Sequence, residues 1–145
     1  MRQLTSLTEG MELPGLIKTV RQANINLYAE ASRDFNPIHT DEAFARKAGL
    51  GGTIAHGMLV LAYVSQMMTS AFGRDWLSNG KLNVRFKAPA RPGDRLTVSG
   101  QIRKIERNGG QSLVTCEVLC ANQDGEPVVA GEARVMVNNA DPATK

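Results

Sequence analysis

A sixteen-residue run, 57–72, most constrains how this chain can fold, because it is apolar on nearly every side. A helix without a polar face is stable only where other parts of the protein cover it all round. The run is slightly shorter than the roughly 20 apolar residues that cross a bilayer, and it contains Ser65 and Gln66. It therefore predicts a helix in the centre of a protein core.

The second half of the chain changes to the two-residue alternation of β-strands. Leu82, Val84 and Phe86, for example, alternate with polar and charged residues. Two short connections, 108–110 and 123–126, carry the Asn, Asp and Gly residues that are typical of hairpin turns. One buried helix followed by a mostly antiparallel sheet predicts an α+β fold in which the sheet wraps around the helix. The predicted strands lie near 80–89, 95–107, 111–123 and 127–138.

The first half is predicted to place a turn between two helices. Residues 11–20 are expected to form a short strand or extended segment, and a helix near 21–33 follows them. Because Pro37 disfavours helical geometry at Asn36, the helix should stop just before these residues and the chain should turn there. A second, short helix is predicted over 42–48.

Composition and charge argue against several classes of function. A net charge of +3, from 17 basic and 14 acidic residues, is too small to predict nucleic-acid binding but suits an anionic small ligand. With no secretory or membrane-spanning segment in view, a single cytoplasmic domain over 1–145, frayed at 138–145, is expected.

Cys116 and Cys120 lie too far apart along a strand for a disulfide, which predicts two buried thiols. Two histidines without a cysteine cluster predict no metal site.

Asp34, Asn36 and His39 surround Pro37 in the stretch Asp-Phe-Asn-Pro-Ile-His. An Asp and a His that both reach one water within about 3 Å can remove and deliver protons, as adding water to a double bond requires. The same residue types are common in turns, so Asp34 could instead end a helix and His39 could precede the next one. Asn36 could fix the two side chains across the turn or simply form the turn. Spacing alone leaves these alternatives open.

His56 and Gly57 stand at the start of the apolar run. Free N–H groups at a helix N-terminus suit a developing oxyanion, and a glycine lets a ligand approach the backbone closely. Alternatively, Gly57 only allows close packing, and His56 braces the loop. Arg85 and Lys87 could meet phosphates of a ligand, or they could form a solvated strand face.

Three stretches together resemble the MaoC-like dehydratases, a family that includes the R-specific enoyl-CoA hydratases. They are 34–39, the sequence Ala-His-Gly-Met at 55–58, and 86–94, which reads Phe-Lys-Ala-Pro-Ala-Arg-Pro-Gly-Asp. The resemblance extends over roughly residues 8 to 137, with the motifs in the expected order. It implies a hotdog fold, in which an antiparallel sheet wraps around a long central helix, and a homodimer whose sheets join edge to edge.

The resemblance also implies roles for individual residues. Asp34 and His39 would form the catalytic dyad, with Asn36 as its turn partner, and the Gly57 N–H would polarise the thioester carbonyl. The implied reaction is reversible hydration of a trans-2-enoyl-CoA to an (R)-3-hydroxyacyl-CoA, with no metal or redox cofactor and with coenzyme A or an acyl carrier as part of the substrate. The residues expected to contact the substrate are Asn36, His56, Met58, Leu59, Tyr63, Arg85 and Lys87.

Three alternative functions follow from the same residues. A 3-hydroxyacyl-carrier-protein dehydratase of fatty-acid synthesis would use the same chemistry with an acyl carrier protein as partner. A thioesterase is disfavoured, because no Asp or Glu lies between Glu42 and Asp75 and the central helix therefore offers no carboxylate base. A non-catalytic hotdog protein that only binds acyl thioesters is weakened by the presence of Asp34, His39 and Gly57.

Overall fold

The computed structural model describes residues 6–139, which contain four helices and one five-stranded antiparallel sheet. The predicted α+β architecture is confirmed, and most element bounds agree with the prediction within a few residues. The short helix α4 was not predicted. In chain order the elements are β1 (Leu16–Thr19), α1 (Gln22–Ser32), α2 (Glu42–Lys47), α3 (Gly57–Phe72), α4 (Arg74–Asn79), β2 (Lys81–Phe86), β3 (Arg95–Asn108), β4 (Gln111–Ala121) and β5 (Pro127–Asn138).

The strands are arranged in the order β1-β3-β4-β5-β2. The last three strands form the expected meander, in which each pairs with the next through a short turn. Strand β2, however, pairs with β5 rather than with β3, its neighbour in the chain. In residues 6–139, the hairpin turns lie between the meander strands, whereas the connection from β2 to β3 contains Pro89 and Pro92 and runs from one edge of the sheet to the strand beside the opposite edge.

Helix α3 is the centre of the core. Its residues Val64, Met67 and Met68 have no exposed surface, and they belong to one cluster with apolar residues of β3, β4 and β5. This burial agrees with the absence of a polar face in the sequence of the helix. Within 6–139, no helix is long and apolar enough to cross a membrane.

The strand register shows which residues of the sheet face α3. Phe86 pairs with Val129, Val129 with Cys120, and Cys120 with Val98. Because the last three are fully buried, this row lies on the inner face. Arg85 belongs to the next row, and its side chain therefore lies on the outer face, away from α3. The alternation that made β2 recognisable as a strand also separates Arg85 from Phe86.

Both cysteines are free and fully buried on the inner face of β4, as predicted. Burial disfavours the thiolate and raises the pKa of Cys116 to about 12 and that of Cys120 to about 11. The two thiols are therefore protonated at neutral pH and are packing residues. They have no exposed surface through which a substrate could reach them.

The chain end was predicted to be frayed from residue 138. Asn138 is instead the last residue of β5, and the Asn139 N–H donates to Gly110 O at 2.7 Å. These two residues are held by the β3–β4 turn region. Residues 140–145 of the predicted tail lie outside the described part of the chain.

Replacing Gly131 with alanine should destabilise the sheet between β2 and β5. A Cβ at Gly131 would lie 2.3 Å from Asn83 O and 2.6 Å from Val84 Cα, and backbone atoms cannot move aside cheaply. We expect a loss of about 1 to 3 kcal/mol in the free energy of unfolding, measured by urea denaturation. The control is Gly110→Ala, because a Cβ there meets no atom within 4 Å. Equal stability of the two variants would contradict the prediction.

Candidate active site

The turn that follows α1 brings Asp34 and His39 together. Helix α1 ends at Arg33, which adopts the left-handed conformation with φ 62°, and the chain then reverses. The Asn36 N–H donates to Asp34 Oδ1 at 3.2 Å, and the His39 N–H donates to Asn36 O at 3.1 Å. Asn36 Oδ1 accepts a further bond from the Ile38 N–H at 3.2 Å. The main chain of Asn36 thus links both predicted dyad residues, while its side chain closes the turn.

His39 is buried, and one of its ring nitrogens is already bound. Its Nδ1 lies 2.8 Å from Ile54 O. A carbonyl oxygen can only accept a hydrogen bond, so Nδ1 carries the proton in this contact. In the neutral ring, Nε2 then holds the lone pair that can accept a proton.

His56 lies directly against this pair. The residue is only 2% exposed, and its Nε2 lies 3.1 Å from the main-chain oxygen of Asp34. The rings of His39 and His56 are stacked, with centroids 3.8 Å apart and planes tilted by 23°. One carboxylate oxygen of Asp34 and one nitrogen from each ring lie within 4.8 Å of one another. His56 therefore joins the local pair of Asp34 and His39 in one cluster, although it lies 17 positions after His39 in the sequence.

The donor set of this cluster is not well arranged for a metal ion. His39 Nδ1 and His56 Nε2 each lie on a carbonyl oxygen. Because the two rings are stacked, the lone pairs of the remaining nitrogens run in nearly parallel planes and do not converge on one point. Zinc needs ligands that point tetrahedrally at the ion from about 2 Å. The absence of a metal requirement stays a prediction.

Gly57 is the first residue of α3, and its N–H is among those that have no acceptor within the helix. It is exposed, and it borders an apolar cavity of about 370 Å³ between the start of α3 and β2. A Cβ at Gly57 would lie 3.1 Å from the ring of Phe86, which shows how close the cavity wall is. The cavity is lined by Ile54, Ala55, Gly57, Val60, Phe86, Lys87, Ala88, Pro89, Ala90 and Val128.

A network of hydrogen bonds supports the main chain of His39. Gln22 Nε2 donates to His39 O at 2.8 Å, and Gln22 Oε1 accepts from Thr53 Oγ1 at 2.7 Å. Thr53 is buried, and its N–H donates to Glu42 Oε2 at 3.1 Å. Glu42 also pairs with Arg46 at 3.0 Å. The network ties α1, α2 and the loop before α3 to the main chain of His39.

Glu42 makes the stability of this network depend on pH. The hydrogen bond from the Thr53 N–H and the nearby Arg46 lower the pKa of Glu42 below its usual value of 4.5. A lowered carboxyl pKa stabilises the fold above the unfolded-state value and loses this effect as pH falls through the folded-state value.

We therefore expect Glu42→Gln to lower the urea midpoint at about pH 7 and to match the unsubstituted chain more closely at about pH 3.5. Glu132→Gln, on the exposed Glu132–Arg134 pair, is the control. A difference between Glu42→Gln and the unsubstituted chain that stays constant over this pH range would contradict the assignment.

The other residues predicted to contact substrate are not all gathered here. Lys87 lines the cavity, whereas Arg85 lies on the outer face of the sheet. Met58 is 59% exposed beside Gly57 but is not a lining residue. Tyr63 packs against the core, and burial raises the pKa of its hydroxyl. The Lys18 ammonium lies 5.6 Å from the centroid of the Tyr63 ring. Leu59 is likewise half-buried against the core.

His56 is buried against Asp34 and His39, and its contact with substrate stays a prediction. Gln22, Thr53 and Ile54 were not predicted at all. Their contacts in this site are with residues 11 to 31 positions away, and nothing in their local sequence indicates them.

A comparison with protein families matches residues 9–123 to the MaoC-like domain. The chain belongs to the MaoC-like family. An (R)-specific enoyl-CoA hydratase from Rhodospirillum rubrum is 32% identical to it over 122 residues, which is 84% of this chain and 83% of that protein. A mitochondrial 3-hydroxyacyl-[acyl-carrier-protein] dehydratase from Arabidopsis thaliana is 32% identical over 124 residues, 84% of this chain and 73% of that one.

The MaoC-like fold is also shared with solved structures. The (R)-hydratase from A. caviae involved in PHA biosynthesis superposes with a TM-score of 0.77 and 27% identity, over 91% of this chain and 98% of that one. The hotdog architecture is thereby confirmed. Fatty acid synthase subunit beta of Aspergillus oryzae is 39% identical over 130 residues, but this chain spans only 6% of its length.

Proposed function

We propose that this MaoC-like protein is a hydro-lyase that interconverts trans-2-enoyl-CoA and (R)-3-hydroxyacyl-CoA. The observation that carries the proposal is the placement of the Asp34 carboxylate and a His39 ring nitrogen within 4.8 Å of each other and of His56, the residue that precedes α3. Relatives over most of the chain are named as hydratases and dehydratases of such thioesters.

In this proposal, one water lies between Asp34 and His39. The His39 Nδ1–H is held by Ile54 O, so Nε2 is the nitrogen that exchanges a proton with the water. Asp34 Oδ1 accepts from the Asn36 N–H, which orients the carboxylate. As the water oxygen bonds to C3 of the enoyl group, the dyad takes one water proton and a proton is delivered to C2. The sum is addition of one water with no redox change, so the step needs no redox cofactor, and we propose that no metal takes part.

Gly57 would act on the thioester end of the same substrate. When oxygen adds to C3, negative charge develops on the thioester oxygen, and the N–H of a helix N-terminus stabilises that charge. The apolar cavity beside Gly57 suits the acyl part of a thioester, and Lys87 at its wall suits a phosphate of the carrier. Asn36 would act through the turn, without a direct chemical role.

A panel of trans-2-enoyl-CoA thioesters of increasing acyl length, followed by chiral analysis of the product, tests the proposal. We expect loss of the enoyl absorbance and formation of the R-3-hydroxyacyl product, with turnover depending on acyl length because the cavity is finite. Release of free thiol from the thioester would indicate a thioesterase instead. Saturable binding without any turnover across the panel would indicate the non-catalytic alternative.

The carrier-protein dehydratase is the second candidate, and the Arabidopsis relative favours it. Rates on the same acyl group attached to coenzyme A and to an acyl carrier protein separate the two. A kcat/KM that is at least about tenfold higher on the carrier protein would assign the protein to fatty-acid synthesis. An acyl carrier protein would then be a partner.

We further propose a cytoplasmic homodimer. Strands β1 and β2 end the sheet of the described chain, and an unpaired strand edge is a template for pairing with a second copy. Sedimentation equilibrium should give twice the 15.7 kDa mass of one chain. A monomer at micromolar concentration would rule out this assembly.

A further inference from the structure

We propose that His56 is a positioning residue, which holds the Asp34 main chain and the His39 ring in the geometry that hydration requires. This inference rests on the proposed function and extends it to a residue that does not touch the substrate. His56 is 2% exposed and precedes Gly57 directly. One side chain therefore connects the carboxylate segment, the imidazole and the helix N-terminus.

The contact with Asp34 defines the tautomer of His56. Its Nε2 lies 3.1 Å from the Asp34 carbonyl oxygen, which can only accept, so the proton is on Nε2. Nδ1 is buried and has no hydrogen-bond partner in the described residues. A buried nitrogen without a partner destabilises a fold, so an apolar ring would be favoured at this position if His56 served only for packing. The hydrogen bond from Nε2 is the feature of His56 that an apolar ring cannot replace.

Two aromatic neighbours fix the orientation of the His56 ring. The His39 ring is stacked on it at 3.8 Å, and Tyr28 lies 4.9 Å away on a plane tilted by 57°. Rotation of the His56 ring would break the stack with His39. The Nε2–H bond and the stack therefore depend on one orientation of one side chain.

Asp34 needs such a support because it is exposed and follows the end of α1. Its other hydrogen bonds, with Ser32 Oγ at 3.3 Å and with the Asn36 N–H at 3.2 Å, are both local to the turn. Within residues 6–139, the His56 bond ties the Asp34 main chain to the start of α3. A displacement of about 1 Å at a reacting group can lower turnover about 100-fold.

The test compares His56→Phe, which keeps a stacked ring but loses the donor, with His56→Gln, whose amide can place a donor near the position of Nε2. We expect His56→Phe to lower kcat about 10- to 100-fold with KM changed less than about threefold. His56→Gln should recover kcat to within about fivefold of the unsubstituted enzyme. Trp76→Phe is the matched control, because Trp76 is a buried ring that donates one hydrogen bond, to Ser65 Oγ at 2.9 Å.

Several outcomes would overturn the proposal. A folded His56→Phe variant with normal kcat would do so, as would a His56→Gln variant as inactive as His56→Phe. If His56→Phe does not fold, His56→Asn replaces it, since the shorter amide cannot reach the Asp34 oxygen; equal kcat for the Asn and Gln variants would then contradict the role. If the unsubstituted protein turns over no thioester of the panel, the proposed function fails and the role of His56 fails with it.

Discussion

His39→Gln should lower kcat for hydration of crotonyl-CoA about 100- to 10,000-fold, the range that general acid–base groups contribute. The amide of glutamine cannot take up and release a proton at the position of Nε2. It also cannot replace the Nδ1–H that donates to Ile54 O at 2.8 Å. The loss should appear in kcat and in kcat/KM alike, because the group acts in the transition state.

His39→Asn separates the loss of proton transfer at Nε2 from the loss of the hydrogen bond to Ile54 O. Its amide nitrogen lies near the position of Nδ1 and can still donate to Ile54 O, but it has no group at the position of Nε2. We expect this variant to be equally inactive and to have a melting temperature closer to that of the unsubstituted protein. Turnover within about tenfold of normal in either folded variant would contradict the assignment of His39 to the dyad.

Asp34→Asn should reduce turnover by a similar factor, about 100- to 10,000-fold, with little change in stability. The asparagine Oδ1 can still accept from the Asn36 N–H, so the turn should persist. What is lost is the negative charge and the ability to accept a proton from water. Steady-state kinetics together with the melting temperature measure the two effects separately.

Asp41→Asn is the matched control for Asp34→Asn. Asp41 is the exposed N-cap residue just before α2, and its Oδ1 accepts from the Phe44 N–H at 3.0 Å. It makes the same kind of local contact without facing the cluster, so its replacement should leave kcat unchanged. If both substitutions reduced kcat equally, the effect of Asp34→Asn would be a general consequence of altered charge, and the dyad would lose its carboxylate.

Local patterns predicted the elements whose neighbours in space are neighbours in sequence. The sixteen-residue apolar run became α3, and the alternating residues of β3, β4 and β5 formed a meander joined by short turns. Asp34 and His39 are five positions apart, and a turn around Asn36 and Pro37 is sufficient to bring them together. The bounds of these elements could be predicted because each depends on periodicity, on proline or on turn chemistry.

Contacts between distant segments could not be predicted in this way. Strand β2 pairs with β5, more than 40 positions away, and α4 is too short for a clear helical pattern. The support of His39 by Gln22, and the bond from His56 to the Asp34 main chain, join residues 17 and 22 positions apart. Arg85 was predicted to contact the substrate, but the strand register places its side chain on the outer face of the sheet.

The sequence by itself determined a buried helix enclosed by an antiparallel sheet, and a turn with a carboxylate on one side and an imidazole on the other. Both follow from the local balance of hydrophobic burial and backbone geometry, which depends on a few adjacent residues. Only the tertiary structure decided that His56 lies on His39 and that Gly57 borders a cavity formed with β2. Those contacts form when separate segments pack against α3, so their partners are set by the fold as a whole.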